Sequence, residues 1–422
     1  MVDNLAADKY SVPVESIFRI HESPCKIVLA ITGGGAEIIG ELLRHGSGSA
    51  TVLDAVVPYS MEAMDNFLGR KPEMYCSEKT ARLMAMVAYQ RALDLSKGEE
   101  SAAYDVVGIG ATCKLKATNE REGRKHEVYV AIQAACKTGV ITLKLNADRT
   151  REGEEKIATF LIFNVLARHC GIPEVDLPDR IGTEEERKEE ITEKYESVSG
   201  PVGDLLKQKI YSQESPYETL GIARIDLNGA QKKEAKTNGE NRENEELQNI
   251  RLVFPGSFGP CHRNHVFMAK LASEKLGVPV HFEISLTNVD KPPIDFISLN
   301  QRLDSLRKYG NETFVGGVCL TNAPLFLQKA DLFPNSTFII GADTFNRLFD
   351  AKYYGGKVDI SAILRHFREK NIRFLVFQRK SVHMSVNPEI LEFCEIVPMG
   401  EYEDDGISST EIRRKQEENK EN

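Results

Sequence analysis

The chain has 422 residues, of which 41% are hydrophobic and 28% charged, and a formal charge of −9. That length exceeds one ordinary core and predicts two domains with a linker, and the composition is that of a soluble globular protein. The acidic balance argues against nucleic acid and anionic membrane as partners, so any bound anion needs a local site.

Eight cysteines, at positions 25, 76, 113, 136, 170, 261, 319 and 394, are scattered with no CxxC and no zinc-ligand spacing. They predict free thiols and no metal held by the chain. The start MVDNLAADKY lacks an apolar signal core, and no run reaches membrane-spanning length. A reducing cytoplasmic location is the expectation.

In chain order, Ile27 to Ile31 reads as a short apolar strand followed by a turn at Thr32-Gly33-Gly34-Gly35. Glu78 to Leu95 has helical spacing, with Leu83 and Val87 on one face. Val128, Val130 and Ile132 alternate, Cys136 to Gly139 turns, and Val140 to Leu145 returns, which predicts a hairpin. Ile157, Leu161 and Val165 mark a closing helix. One α/β domain over residues 22–172 is expected.

Residues 173–249 are expected to be a charged linker with a partly ordered segment. Ten of the fifteen residues from Arg180 to Lys194 are charged, which suits a solvated helix. Gln231 to Glu246 carries no large apolar side chain and cannot offset chain entropy, so disorder is the expectation there. Val202 to Ile225 has enough Leu, Ile and Tyr to pack on a domain.

From Arg251 onward strands and helices alternate. The strands are 252–254, 280–286, 314–320, 338–341 and 374–377, and the helices are 265–276, 298–309, 324–331 and 360–370. This alternation predicts a doubly wound parallel sheet over 250–416, with ligands at the strands' carboxyl ends, and a flexible tail at 417–422.

The first of these strands runs into Gly256-Ser257-Phe258-Gly259-Pro260, and a helix begins near His265. Gly and Pro force a tight turn, and the helix amino terminus presents N–H groups to an anion. His262 and His265, three apart, can face one ligand and stabilise charge on a transferring phosphorus. Capping residues of an ordinary helix give the same spacing. Farther on, Ile407-Ser408-Ser409-Thr410-Glu411-Ile412-Arg413 reads either as a capped helix start or as hydroxyls and a guanidinium around a triphosphate. Both readings can hold together.

The pair GSFGPCHRNH (256–265) and ISSTEIR (407–413) resembles the HxGH and ISSTxIR signatures of the nucleotidyltransferase superfamily, in the branch of nicotinamide-nucleotide adenylyltransferases. Phe338 to Leu348 is similar to that branch's strand and GAD(S/T) segment, with Gly341 and Asp343 matching. The resemblance implies a Rossmann-like, cytidylyltransferase-like fold, with catalytic His262, His265 and Arg413. Nucleotide contacts would come from Gly256, Ser257, Phe258, Gly341, Asp343, Ile407, Ser408 and Ser409. It implies adenylyl transfer from ATP, assisted by Mg2+, to nicotinamide or nicotinate mononucleotide.

Asn264 stands where the family pattern has Gly, and with no Trp in the chain a nicotinamide ring would need Phe or Tyr, Phe345 being one candidate and equally readable as a core aromatic after its strand. Lys291 is either a phosphate contact or a solvated turn residue.

Val28 to Gly34, Gly48-Ser49, Val57 to Ser60 and Ser77 to Arg82 resemble the CinA C-terminal domain, whose members deamidate nicotinamide mononucleotide. That pattern places a nucleophilic Ser at Ala30 and a Lys at Met64, while Thr32 and Tyr59 remain. Alanine has no hydroxyl and a thioether carries no proton, so a degenerate deamidase is expected. The family's GIAGPxGG loop is altered to Gly108 to Lys114. The partners expected are small-molecule nucleotides, with homo-oligomerisation left open. A nucleotidyltransferase using CTP or another acceptor, and a non-catalytic nucleotide sensor or scaffold, are the alternatives.

Overall fold

The structure is a computed structural model. It describes residues 11–96, 105–146, 149–177, 189–207, 220–227, 249–288, 291–348, 350, 359–379, 382–384, 388–401 and 412. The chain divides into two compact units, 1–203 with 290–297 and 204–289 with 298–422. Among the described residues no helix is long and apolar enough to cross a membrane.

In the first unit, β1 (Cys25–Thr32), β2 (Val52–Val56) and β3 (Asp105–Lys114) run parallel. Then β4 (His126–Ala134), β5 (Lys137–Leu145) and β6 (Glu190–Ser197) extend the sheet antiparallel, in the order β2-β1-β3-β4-β5-β6. The helices are α1 (Val14–Glu22), α2 (Glu37–Arg44), α3 (Met61–Leu68), α4 (Glu78–Leu95) and α5 (Arg151–His169).

The expected hairpin is β4–β5, and the expected helices are α4 and α5. Ser77 caps α4 by accepting from the Thr80 N–H at 3.1 Å. This helix lies hard against β3 because Gly108 and Gly110 have no side chains: a Cβ on them would sit 2.2 Å from the Ala85 carbonyl oxygen and 2.3 Å from that of Ala81. The stretch Gly108 to Lys114 is therefore strand rather than loop, and its glycines serve the helix contact. In α5, Ile157, Leu161 and Val165 are buried in the core with Ile17 and Ile20 of α1, which puts chain before residue 22 into this core.

The expected solvated helix at 180–194 is corrected over its described part. Glu190 to Ser197 pairs with β5 as an edge strand, where the charged side chains face solvent and Tyr195 covers Gly139. Charge density hid a two-residue alternation that an edge strand satisfies without a buried face. The stretch 231–246, where disorder is expected, lies wholly outside the described residues, as does 178–188. Within 173–249 the described order is β6, α6 (Gly200–Lys207) and β7 (Ile222–Ile225).

The second unit contains β7, β8 (Leu252–Pro255), α7 (Arg263–Leu276), β9 (Val280–Ser285), β10 (Val315–Thr321), α9 (Phe326–Leu332), β11 (Thr337–Gly341), α10 (Ala342–Arg347), α11 (Ile360–Glu369), β12 (Arg373–Phe377) and β13 (Cys394–Val397). Helix α8 (Phe296–Arg307) precedes β10. The sheet order is β13-β12-β11-β8-β9-β10-β7, all parallel except β7. Strand direction of travel reverses between β8 and β11. That gap is the topological switch point, where an open α/β sheet leaves a crevice at its carboxyl edge. Phe338, Phe374, Phe367 and Phe333 fill the core on this half of the sheet.

Candidate active site

The segment after β8 turns back on itself around one buried ring. Phe258 has a φ of 40° and no exposed side-chain surface, and it packs edge-on to Phe254, Phe282 and His265. Gly256 makes room for it, since a Cβ there would stand 2.6 Å from the ring. This ring is core, so a nucleotide contact at Phe258 would be made by its backbone. Arg302 of α8 donates to the Ser257 carbonyl at 3.1 Å, and Ser305 accepts from the Cys261 N–H at 2.9 Å, which pins the turn.

His262 is the N-cap of α7 and His265 lies one turn in. The rings stack, with centroids 3.8 Å apart and planes 31° from parallel. The His262 backbone N–H donates to His265 Nδ1 at 3.3 Å, so the neutral His265 ring carries its proton on Nε2. Burial, then the neighbouring His262 and the positive Arg379, lower the His265 pKa to about 3. It is therefore a neutral hydrogen-bond donor at physiological pH, beside the first-turn N–H groups of a 14-residue helix. Asn264, between them, is buried.

At the end of β11, Gly341 is the N-cap of α10 and Asp343 stands in its first turn. Asp343 Oδ2 accepts from Arg379 at 2.9 Å, and Arg379 follows β12 by two residues. The carboxyl ends of β8, β11 and β12, which are neighbours in the sheet, thus gather the histidine pair, Asp343 and Arg379. Arg379 was not singled out in the sequence. A cation just past the last residue of a parallel strand was the available signal.

Of the two readings of Phe345, the structure fits the core aromatic, since it is buried within the core cluster behind β11. Lys291 is exposed and belongs to the stretch that clusters with the first unit. Ile407, Ser408, Ser409 and Arg413 lie outside the described residues.

In the first unit, Thr32, Tyr59 and Met64 line one cavity of about 810 Å³. Ala30 is fully buried inside β1 and is not among its lining residues. The two surviving positions of the deamidase-like pattern, Thr32 and Tyr59, are therefore together with the altered Met64, and the alanine is core.

Residues 253–415 match the family model described as cytidylyltransferase-like. Over this C-terminal stretch the chain is similar to the cytidylyltransferase-like family, and the match covers less than half of the chain. No curated protein matches the chain. Among solved structures, the competence/damage inducible protein CihA from Agrobacterium tumefaciens is 21% identical over 37% of this chain and 93% of that one, with a TM-score of 0.28.

Proposed function

We propose that the C-terminal unit transfers an adenylyl group from MgATP to nicotinamide or nicotinate mononucleotide and releases pyrophosphate. The observation that carries this reading is the stacked His262–His265 pair at the N-terminus of α7, set at the switch point with Arg379 nearby. An oxygen of the acceptor phosphate attacks the α-phosphorus in line, and the bond from that phosphorus to the bridging oxygen breaks. Negative charge then grows on the α-phosphoryl oxygens and on the leaving pyrophosphate. The Nε2–H of His265 and the α7 N–H groups supply donors already aimed, without a protonation step. Magnesium enters as part of the nucleotide substrate. The N-terminal unit, lacking a hydroxyl at Ala30 and an ammonium at Met64, is read as a deamidase-like fold without that activity.

The cytidylyltransferase-like match also keeps CTP as a donor in view. Pyrophosphate release from the purified full chain, with MgATP or MgCTP and a panel of mononucleotides, tests both. We expect release with ATP and one of the two nicotinamide-type acceptors, and its loss in His262→Ala. Release with CTP alone would replace the donor, and none with any pair would favour a nucleotide sensor.

A further inference from the structure

The cavity of the first unit has a charge distribution at odds with the acidic chain that contains it. Its lining includes Lys116, Arg124 and Arg151 and not one carboxylate. Arg124 donates to the Leu115 carbonyl at 3.3 Å, and its buried Nε has no hydrogen-bond partner. Arg151 donates to the Gly33 carbonyl at 3.0 Å and forms a longer ion pair with Glu155 at 3.7 Å.

The nearby acids are turned elsewhere. Glu154, fully buried, accepts from the Lys116 backbone N–H and from His126 Nδ1, each at 2.5 Å. Glu120 meets the other face of His126 at 3.1 Å. The loop that carries Lys116 and Arg124 is thus braced from behind, which leaves its cations on the cavity side already ordered. At the mouth, Tyr59 and Met61 are 70% and 59% exposed, an apolar rim beside the cations.

We propose that this cavity binds a small organic molecule bearing a diphosphate group and holds it without turnover. Three cations exceed what one phosphate monoester of charge about −2 can balance, whereas a diphosphate spreads more charge over more acceptor oxygens. The volume suits a ligand of that size. The apolar rim suits an organic substituent on the diphosphate. No carboxylate or imidazole lines the cavity to serve as a general base, and burial holds the Cys76 thiol up at about 11. The site is separate from the transferase site, and the inference stands or falls independently of that reading.

Cys76 lines the cavity and reports on its occupancy. Iodoacetamide labelling of the full chain at alkaline pH, read by peptide mass spectrometry, would be followed with inorganic pyrophosphate or inorganic phosphate present. We expect pyrophosphate at several times its dissociation constant to slow Cys76 labelling about fivefold, by simple occupancy. Phosphate at equal concentration should protect much less. Arg124→Ala should remove most of the protection and His262→Ala none. Calorimetric titration of pyrophosphate into His262→Ala, with and without Arg124→Ala, gives a second reading independent of thiol reactivity. Equal protection by phosphate would overturn the proposal, as would binding unaffected by Arg124→Ala, or no binding by either method.

Discussion

His265 is held neutral by three causes that act in one direction: burial, the ring of His262 stacked on it, and the Arg379 guanidinium. A neutral donor needs no proton from solvent, so its contribution to charge stabilisation is constant across the ordinary working range of pH. His265→Ala should lower kcat about 100-fold or more, the cost of a lost donor to developing charge. Steady-state kinetics of a normally folded variant check this, and full activity would remove the assignment. Arg379 has a different part. It is already engaged with Asp343, and it lies close enough to His265 to influence that ring's titration. Arg379→Ala should weaken nucleotide binding and raise KM more than it lowers kcat, while Arg379→Lys restores part of the loss. Equal falls in kcat and kcat/KM with unchanged KM would instead make Arg379 a group that acts only in the transition state.

At the scale of elements, the alternation of strand and helix after Arg251 was legible because each parallel strand is a short apolar run followed by an amphipathic helix. All five strands expected there form, and the turn after the first carries the histidines. What escaped were edges and ends. The edge strands β6, β7 and β13 have no second buried face to imprint a pattern, and α10 is six residues long. The role of Gly108 and Gly110 was hidden because close helix approach is a tertiary fact. The three-residue spacing that brings the His262 and His265 rings together is legible in the sequence, whereas the burial of the Phe258 ring beside Gly256 is a tertiary fact.

The brace behind the cationic loop belongs to this scale too. Glu154 on α5 ties β4, through His126, to the loop after β3, through the Lys116 N–H. Removing Glu154 leaves His126 Nδ1 and the Lys116 N–H without their acceptors, while His126 Nε2 keeps Glu120, and breaking such a buried contact costs about 3–5 kcal/mol. Glu154→Ala should show that drop in chemical denaturation of the first unit, and Glu154→Gln, which keeps one acceptor oxygen, a smaller one. A change under about 0.5 kcal/mol, typical of surface sites, would mean the brace is dispensable.

For the whole molecule, buried histidines predict how stability responds to acid. His265 and His281 in the second unit have folded-state pKa values lowered to about 3 and about 4, and His21 in the first unit is also lowered by burial. An unfolded chain protonates these rings near pH 6.5, while the folded chain resists. Between those limits the unfolded state therefore binds more protons, and stability must fall as pH drops below about 6.5. The contribution is fully present above that pH. Since the effect of the two numbered groups lies in the second unit, thermal unfolding should show two transitions whose separation changes with pH. The second unit's transition should lose more on going from pH 7 to pH 4.5. Substituting His281, whose ring packs where a Cβ on Gly316 would stand 2.5 Å away, by Asn removes one titrating group, so the pH slope should be shallower than that of the unaltered chain even if the midpoint is lower. The slope, measured by calorimetry at several pH values, separates linkage from simple loss of packing. An unchanged slope in His281→Asn would remove His281 from the groups that link stability to pH.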